Sequence, residues 1–301
     1  MQRDVQLTVR MVISFLALTL IYLVFLGFIA AYFGLGILPI AVIAGLMIGA
    51  QWYFSDKIVL WSTGTKLVTK EEYPALHDIV ERLVLKANIP KPKVGIMSSN
   101  VANAFATGKT PKSSVVAVSS GLMKILKKDE LEGVLSHELT HIRHRDVTII
   151  TLASLFSTIA WFLMQSSMFG SMYGGYGYGG RQQNGSPFLV LIIAAIVWLL
   201  SFLIIRAISR YREFAADRGG ALLTGQPMNL SRALMKIHGE IKIAPTQELQ
   251  RLEGQNAFFI IPAISGRTIA KYFSTHPPVE ERVKRLMRIE QELRNSDNLG
   301  I

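Results

Sequence analysis

The stretch VLSHELTHIRHRD at residues 134–146 decides how the rest of this sequence is interpreted. If the stretch is helical, His137 and His141 stand four residues apart on one face, where two imidazoles can bind a single metal ion. Glu138 follows about 100° further round such a helix, so its carboxylate can reach a water on the metal without being a ligand. The pattern predicts a metal-binding helix. Two ordinary histidines flanking a glutamate remain the alternative.

A catalytic zinc site needs a third protein ligand and leaves one position for water. The chain has no cysteine, so the metal has to be held by histidine and carboxylate. Glu213, in the stretch YREFAAD at residues 211–217, is the best candidate. Asp217 follows four residues later on the same face of a predicted helix and can accept a hydrogen bond from a ligand histidine. A solvated helix edge is the alternative for this Glu–Asp pair.

Long uncharged segments indicate a membrane protein. Residues 11–55 contain no charged side chain, which is more than twice the length of about 20 residues that one bilayer crossing requires. We expect two spans, at roughly 10–33 and 37–55, joined by a turn that contains Gly34. A cleaved signal peptide fits less well, because its apolar core is only about 7–15 residues long.

Two further hydrophobic segments follow the metal-binding stretch. Phe188–Ile205 is an uncharged run that predicts a span. Val147–Met164 is also uncharged but carries five hydroxyl residues, so it is either a span packed against others or a helix in a soluble core. The Gly-rich loop 169–187 between them has no apolar periodicity.

The distribution of basic residues predicts the orientation. The formal net charge is +11, and lysines and arginines cluster beside the predicted spans, whereas the segment between the last two carries only Arg181. By the positive-inside rule, both termini face the cytoplasm. These features predict a multi-pass protein of the plasma membrane. No basic motif rich in stacking side chains indicates nucleic acid.

The resulting organisation has four parts. It comprises a two-span membrane hairpin at 1–55, a cytoplasmic catalytic part with the metal-binding helix at 56–146, two further hydrophobic segments at 147–205, and a cytoplasmic catalytic part with the third ligand at 206–301.

Shorter patterns outline the catalytic parts. Residues 71–88 have helical periodicity, and three short β-like runs predict a small antiparallel sheet; they are Val94–Met97, Asn103–Thr107 and Ser114–Val118. Asp129 with Glu132 resembles a capping box at the start of the metal helix. The Gly219-Gly220 pair predicts the end of the helix that carries Glu213.

Four motifs, which occur along the chain in the same order as in a known family, give the chain a resemblance to that family. They are HELTH at 137–141, NAFATG at 103–108, REFAAD at 212–217, and STHPP at 274–278 followed by Arg282. In these the chain resembles the HtpX-type membrane zinc peptidases, relatives of the CAAX prenyl endopeptidases, over nearly its whole length.

The resemblance implies a fold, a cofactor and an activity. The fold would be α+β and mainly helical, a multi-span membrane protein with a gluzincin-type metalloprotease domain. One Zn²⁺ per chain would be held by His137, His141 and Glu213, with Glu138 as the general base. The substrates would be membrane-bound or misfolded proteins, cleaved at internal peptide bonds for quality control in the lipid bilayer.

Other residues are weaker candidates for the same site. His276 precedes two prolines and could stabilise the oxyanion of a tetrahedral intermediate, or it could be a turn residue before a helix. Asn103, Ala104 and Phe105 could form an edge strand that binds an extended substrate, or Phe105 could pack within the sheet.

Two other functions are alternatives to a peptidase. A membrane scaffold with structural zinc would have no use for Glu138 and would tend to close the site with a fourth ligand. A transporter usually needs ionisable residues within its spans, and the clearest predicted spans have none.

Overall fold

The computed structural model describes residues 5–33, 37–146, 148–149, 187–244 and 276–298. These residues belong to two compact units. The first is drawn from residues 54–148 and 209–301, and the second from residues 4–53 and 149–208. The predicted segment Val147–Met164 falls almost entirely outside the described residues, as do residues 169–186 of the predicted Gly-rich loop.

The described elements follow the predicted order of helices and strands, with one short strand and one short helix that the sequence did not predict. The helices are α1 (Val5–Phe33), α2 (Ile37–Ser62), α3 (Pro74–Ala87), α4 (Ser120–Ile125), α5 (Lys128–His144), α6 (Pro187–Thr224), α7 (Pro227–Ile243) and α8 (Val279–Asn298). The strands are β1 (Thr65–Leu67), β2 (Lys93–Met97), β3 (Ala104–Thr107) and β4 (Val115–Ser119). The described part of the chain is therefore mainly helical and contains one small sheet.

The sheet is mixed, so the prediction of an antiparallel sheet is wrong. Its strand order is β1-β2-β4-β3, with β2 and β4 parallel and the other two pairs antiparallel. The physical reason lies in β4, whose five residues are all buried. A strand buried on both faces is favoured in the interior of a sheet, and β4 lies between β2 and β3 instead of following β3 at the edge.

Helix α5 lies at the centre of the first unit, where it contacts α3, α7 and β3. Its buried apolar side chains belong to the main hydrophobic core; they are Leu131, Val134, Leu135, Leu139 and Ile142. The start of the helix differs from the prediction. Glu130, and not Glu132, accepts a hydrogen bond from the backbone N–H of Lys127, at 2.8 Å.

The prediction that Gly219-Gly220 ends α6 is wrong. The helix continues to Thr224, and Gly225 ends it with a φ of +71°. The two glycines lie where α6 approaches α5 closely. A Cβ on Gly219 would lie 2.4 Å from Cγ2 of Thr140, and one on Gly220 would lie 2.9 Å from the backbone nitrogen of His137. Glycine at these positions therefore lets two helix backbones meet at the metal-binding stretch.

The second unit has a small apolar core of its own. Leu18, Tyr22 and Phe25 of α1 pack with Ala194 and Val197 of α6. Among the described residues, one helical segment, Leu191–Thr224, is long and apolar enough to cross a membrane by length and composition. Val9–Phe25 is a shorter apolar helical segment. Multiple spans are thus not established, and the other three remain predictions.

Substitution of two glycines by alanine tests the close packing of α5 against α7. A Cβ on Gly133 would lie 2.8 Å from the backbone nitrogen of Leu230, whereas one on Gly239, in the exposed part of α7, would have nothing within 4 Å. We expect Gly133→Ala to lower the free energy of unfolding by about 1–3 kcal/mol through overpacking. Gly239→Ala should raise it by about 0.5–1 kcal/mol, because alanine favours helix.

Denaturant unfolding of the purified protein measures both changes. The two variants make the same chemical change inside helices, so only the space around each glycine separates them. A Gly133→Ala variant that is as stable as Gly239→Ala would contradict the close approach of α5 and α7.

Candidate metal centre

The two histidines of α5 point towards one place. Their ring centroids lie 4.7 Å apart, and the two Nε2 atoms are separated by 3.1 Å. His137 is buried, and the side chain of His141 is 13% exposed. The four-residue spacing on a helix therefore brings both imidazoles to the same side of α5.

Glu213 of α6 completes a group of three candidate ligands. Its Oε1 lies 3.5 Å from Nε2 of His141, and its Oε2 lies 3.6 Å from Nε2 of His137. Ligands about 2.0–2.1 Å from a tetrahedral ion would be separated from one another by about 3.3 Å. The observed separations of 3.1–3.6 Å are close to this value.

The lack of a hydrogen bond at one oxygen of Glu213 also fits a role as a metal ligand. Its Oε2 is buried, and no donor among the described residues gives it a hydrogen bond of good geometry. A buried carboxylate oxygen without such a bond is costly unless a cation compensates it. The group His137, His141 and Glu213 can therefore hold one divalent metal ion.

Asp217 supports the first histidine. Its Oδ1 lies 3.0 Å from Nδ1 of His137, so this nitrogen donates to the carboxylate and Nε2 faces the other ligands. Arg282 of α8 holds Asp217 with two hydrogen bonds, of 2.9 Å from Nε and 2.7 Å from Nη2. Arg282 is fully buried, and its Nη1 lies 3.5 Å from Oε2 of Glu213.

The second histidine has a carboxylate partner that the sequence did not reveal. Oδ2 of Asp146 lies 2.5 Å from Nδ1 of His141, and Oδ1 of Asp146 lies 3.0 Å from Nε of Arg212. Asp146 comes five residues after His141, a spacing that does not share a face on a regular helix. No periodicity could therefore have identified it.

His276 and Glu138 lie in the same buried region. Nδ1 of His276 is 3.1 Å from Oε2 of Glu213, which places this imidazole beside the third candidate ligand. Glu138 is only 4% exposed. Burial lowers the pKa of Arg282, but Asp217, Glu213 and Glu138 outweigh that effect and raise it. The carboxylate of Glu138 thus contributes to the raised pKa of the Arg282 guanidinium.

The pairing of charges sets the protonation of the cluster. Burial would raise the pKa of Glu213, yet His276, His137 and Arg282 hold it well below its usual range. The pKa of Asp217 is likewise lowered by Arg282 against the effect of burial. For His137, burial lowers the pKa, but the carboxylates of Asp217 and Glu213 prevail and raise it to about 9. Both carboxylates are therefore ionised at neutral pH.

The predicted substrate strand is only partly available for contacts. Asn103 is buried, and its backbone groups bond to Ser119 in both directions, at 2.9 and 2.8 Å. The side chain of Phe105 packs in a small core with Met97 and Ala117, as expected if it packs within the sheet. Ala104 begins β3, which is an edge strand of the described sheet.

Comparison with known proteins gives a consistent result. A model of peptidase family M48 matches residues 70–290. Protease HtpX homolog 2 of Methanosarcina mazei is 47% identical over 292 residues, which cover 97% of this chain and 98% of the relative. The protease HtpX homolog of Moorella thermoacetica is 48% identical over 293 residues, which cover 96% of each chain.

A solved structure shares the fold. The crystal structure of S. mikatae Ste24p is similar with a TM-score of 0.53 and 20% sequence identity. The match covers 94% of this chain and 66% of that chain.

Replacement of the third candidate ligand tests the metal centre. Glu213→Ala removes one of three ligand groups and leaves both histidines in place, so we expect the purified variant to lose most of its bound metal. Glu240→Ala is the matched control, because Glu240 is exposed on α7 and lies outside the cluster. Elemental analysis after gel filtration measures the metal content. Stoichiometric metal in Glu213→Ala would mean that another residue completes the site.

Proposed function

The chain belongs to peptidase family M48 and is a metalloendopeptidase, and from this premise we propose that it is a zinc-dependent protease of the membrane. Its substrates would be membrane-bound or misfolded proteins, cleaved at internal peptide bonds as part of protein quality control. The observation that carries the proposal is the buried group of two histidines and one glutamate, with a further glutamate next to the first histidine.

Zinc is the metal that best suits this set of donors. Two imidazoles and one carboxylate are a known ligand set of catalytic zinc, with one position kept open. Each histidine has a carboxylate at its Nδ1, an arrangement that fixes which nitrogen faces the metal. When bound, zinc would lower the pKa of a coordinated water and polarise the carbonyl of the scissile bond. We propose one zinc per chain.

Glu138 would carry the proton during hydrolysis. It follows His137 directly on α5, so it lies beside the ligands but is not one of the three that converge. We propose that its carboxylate accepts a proton from the attacking water and then transfers this proton to the nitrogen of the leaving amine. His276 is a candidate to stabilise the oxyanion, because its imidazole lies beside Glu213.

The outer edge of β3, the last strand of the described sheet, is the proposed binding site for the substrate backbone. In the antiparallel register Phe105 pairs with Ala117, and two residues before Phe105 the carbonyl oxygen of Asn103 accepts a hydrogen bond from the backbone N–H of Ser119. Because hydrogen-bonded pairs alternate, the backbone groups of Ala104 and Ala106 point away from β4. Ala106 lines one cavity with His141. An extended peptide that pairs with Ala104 and Ala106 would therefore pass beside the metal ligands.

The sequence around α6 supports the proposed membrane location and orientation. The hydrophobic run 188–205 and Glu213 belong to this one helix, and only seven residues separate them. Arg206 and Arg210 follow the run, and the positive-inside rule therefore predicts that this end faces the cytoplasm. We propose that the metal site acts on the cytoplasmic side of the plasma membrane.

Substitution of the proposed base tests the mechanism. Glu138→Gln keeps the shape of the side chain and leaves the ligands unchanged, so we expect normal zinc content. It removes the proton acceptor, so cleavage should slow by at least about 10²–10⁴-fold. The measurement is cleavage of an unfolded protein by the detergent-purified enzyme, with and without a chelator.

Glu132→Gln is the control for this substitution. Glu132 lies on the same helix but forms an ion pair with Arg82 at the surface, 3.2 Å away. Its variant should cleave like the unmodified protein. Near-normal turnover by Glu138→Gln would refute the role of the base, and absence of cleavage by the unmodified protein with zinc bound would favour a structural zinc site.

The orientation can be tested by cysteine labelling, because the native chain contains no cysteine. Ser136 is fully buried, so it would be shielded on either side of the membrane; Ser98, which is exposed, is the informative position. In intact cells an impermeant maleimide should label Ser171→Cys and leave Ser98→Cys unlabelled. Ser98→Cys should react after permeabilisation. The reverse pattern would contradict a cytoplasmic site.

A further inference from the structure

We propose that Asp146 and Arg212 form a positioning pair, which fixes the orientation of His141 and connects the end of α5 to the segment that carries Glu213. The inference rests on the proposed function, since it concerns the same metal centre. It assigns to Asp146 and Arg212 a role in metal affinity, not in the chemical step.

The contacts of Asp146 are those of an orienting group. Its side chain is 1% exposed, and its two oxygens face different partners. Oδ2 accepts a hydrogen bond from Nδ1 of His141 at 2.5 Å, and Oδ1 forms an ion pair with Nε of Arg212 at 3.0 Å. With its proton held on Nδ1, His141 presents the lone pair of Nε2 to His137 and Glu213.

A local change of backbone direction makes this contact possible. On a regular helix, a residue five positions after His141 would point about 140° away from it. Arg145 ends α5 in the left-handed conformation, with φ 57° and ψ 40°. This single residue turns the chain so that Asp146 returns to the side of His141. Left-handed backbone is unusual outside glycine and asparagine, so the turn is a specific feature of this helix end.

Arg212 connects Asp146 to the helix that carries Glu213. It is the residue before Glu213 on α6, and its side chain is only 9% exposed. A buried guanidinium is costly unless a carboxylate compensates it, and Asp146 supplies that carboxylate. The ion pair therefore links the turn after α5 to the turn of α6 that carries the third candidate ligand.

The two candidate histidines are supported in the same way. His137 donates to Asp217, which Arg282 holds, and His141 donates to Asp146, which Arg212 contacts. The first carboxylate lies on α6 and the second follows α5. Each histidine thus has its own aspartate–arginine pair, and loss of either pair should loosen one ligand.

Metal affinity is the direct test, because it does not depend on turnover. We expect Asp146→Asn to raise the zinc dissociation constant about 10–100-fold, measured by competition with a chromogenic chelator. The visible spectrum of the cobalt-substituted variant should also change, since the spectrum reports ligand geometry. Glu240→Gln, at an exposed position on α7, should match the unmodified protein in both measurements.

A double variant separates positioning from folding stability. Asp146→Asn alone leaves Arg212 buried without its carboxylate, so the melting temperature of the metal-free protein should fall. Asp146→Asn with Arg212→Gln removes both charges, so this melting temperature should largely recover. If the pair positions His141, zinc affinity stays weak in the double variant. Recovery of affinity together with stability would reduce the pair to a structural role and overturn the inference.

The turn at Arg145 allows a test that leaves Asp146 intact. Arg145→Gly accepts the left-handed backbone, so we expect zinc affinity within about twofold of the unmodified protein. Arg145→Val disfavours this backbone because valine is β-branched, and it should weaken zinc binding in the same direction as Asp146→Asn. Equal affinity of the glycine and valine variants would contradict the role of the turn.

The outcomes distinguish this inference from the proposed function. If the unmodified protein neither binds zinc nor cleaves protein, the proposed function fails and the inference fails with it. If it does both, and the folded Asp146→Asn variant binds zinc equally well, only the inference is overturned.

Discussion

The burial of charge around the metal centre is the constraint on which the rest of the structure depends. The buried acidic residues there are Glu138, Asp146, Glu213 and Asp217, and the buried arginines are Arg212 and Arg282. Before the histidines are counted, four carboxylates and two guanidinium groups carry a formal charge of −2. A divalent cation held by His137, His141 and Glu213 would offset this negative charge.

Part of the candidate site could be predicted from the sequence because the spacing within each helix is local. His137 and His141, and likewise Glu213 and Asp217, are pairs four residues apart on helices, where spacing alone fixes a common face. The contacts of Asp146 and Arg282 could not be predicted from such spacing. The first depends on one left-handed residue, and the second reaches the site from a helix 65 residues beyond Asp217. Neither contact follows from periodicity.

The fold was predictable to the same extent. Helical periodicity at 71–88 corresponds to α3 within a few residues, and each predicted β-like run corresponds to a strand. The order of the strands was not predictable from local patterns, because the central position of β4 depends on burial over both faces. Gly219-Gly220 was misinterpreted for a related reason. Glycine favours helix ends in isolation, but a close helix contact selects it inside a helix.

The geometry of the site and the close helix packing have one origin. Glu213, Asp217 and Gly220 follow one another at intervals of four and three residues, so they lie on a single face of α6. That face meets α5 at His137, whose backbone nitrogen would lie only 2.9 Å from a Cβ on Gly220. The side chains of the candidate metal site and the glycine that permits the close helix contact therefore have a fixed relation along α6. Any shift between α5 and α6 would change the distance between the histidines and Glu213, which makes this contact the structural basis of the candidate site.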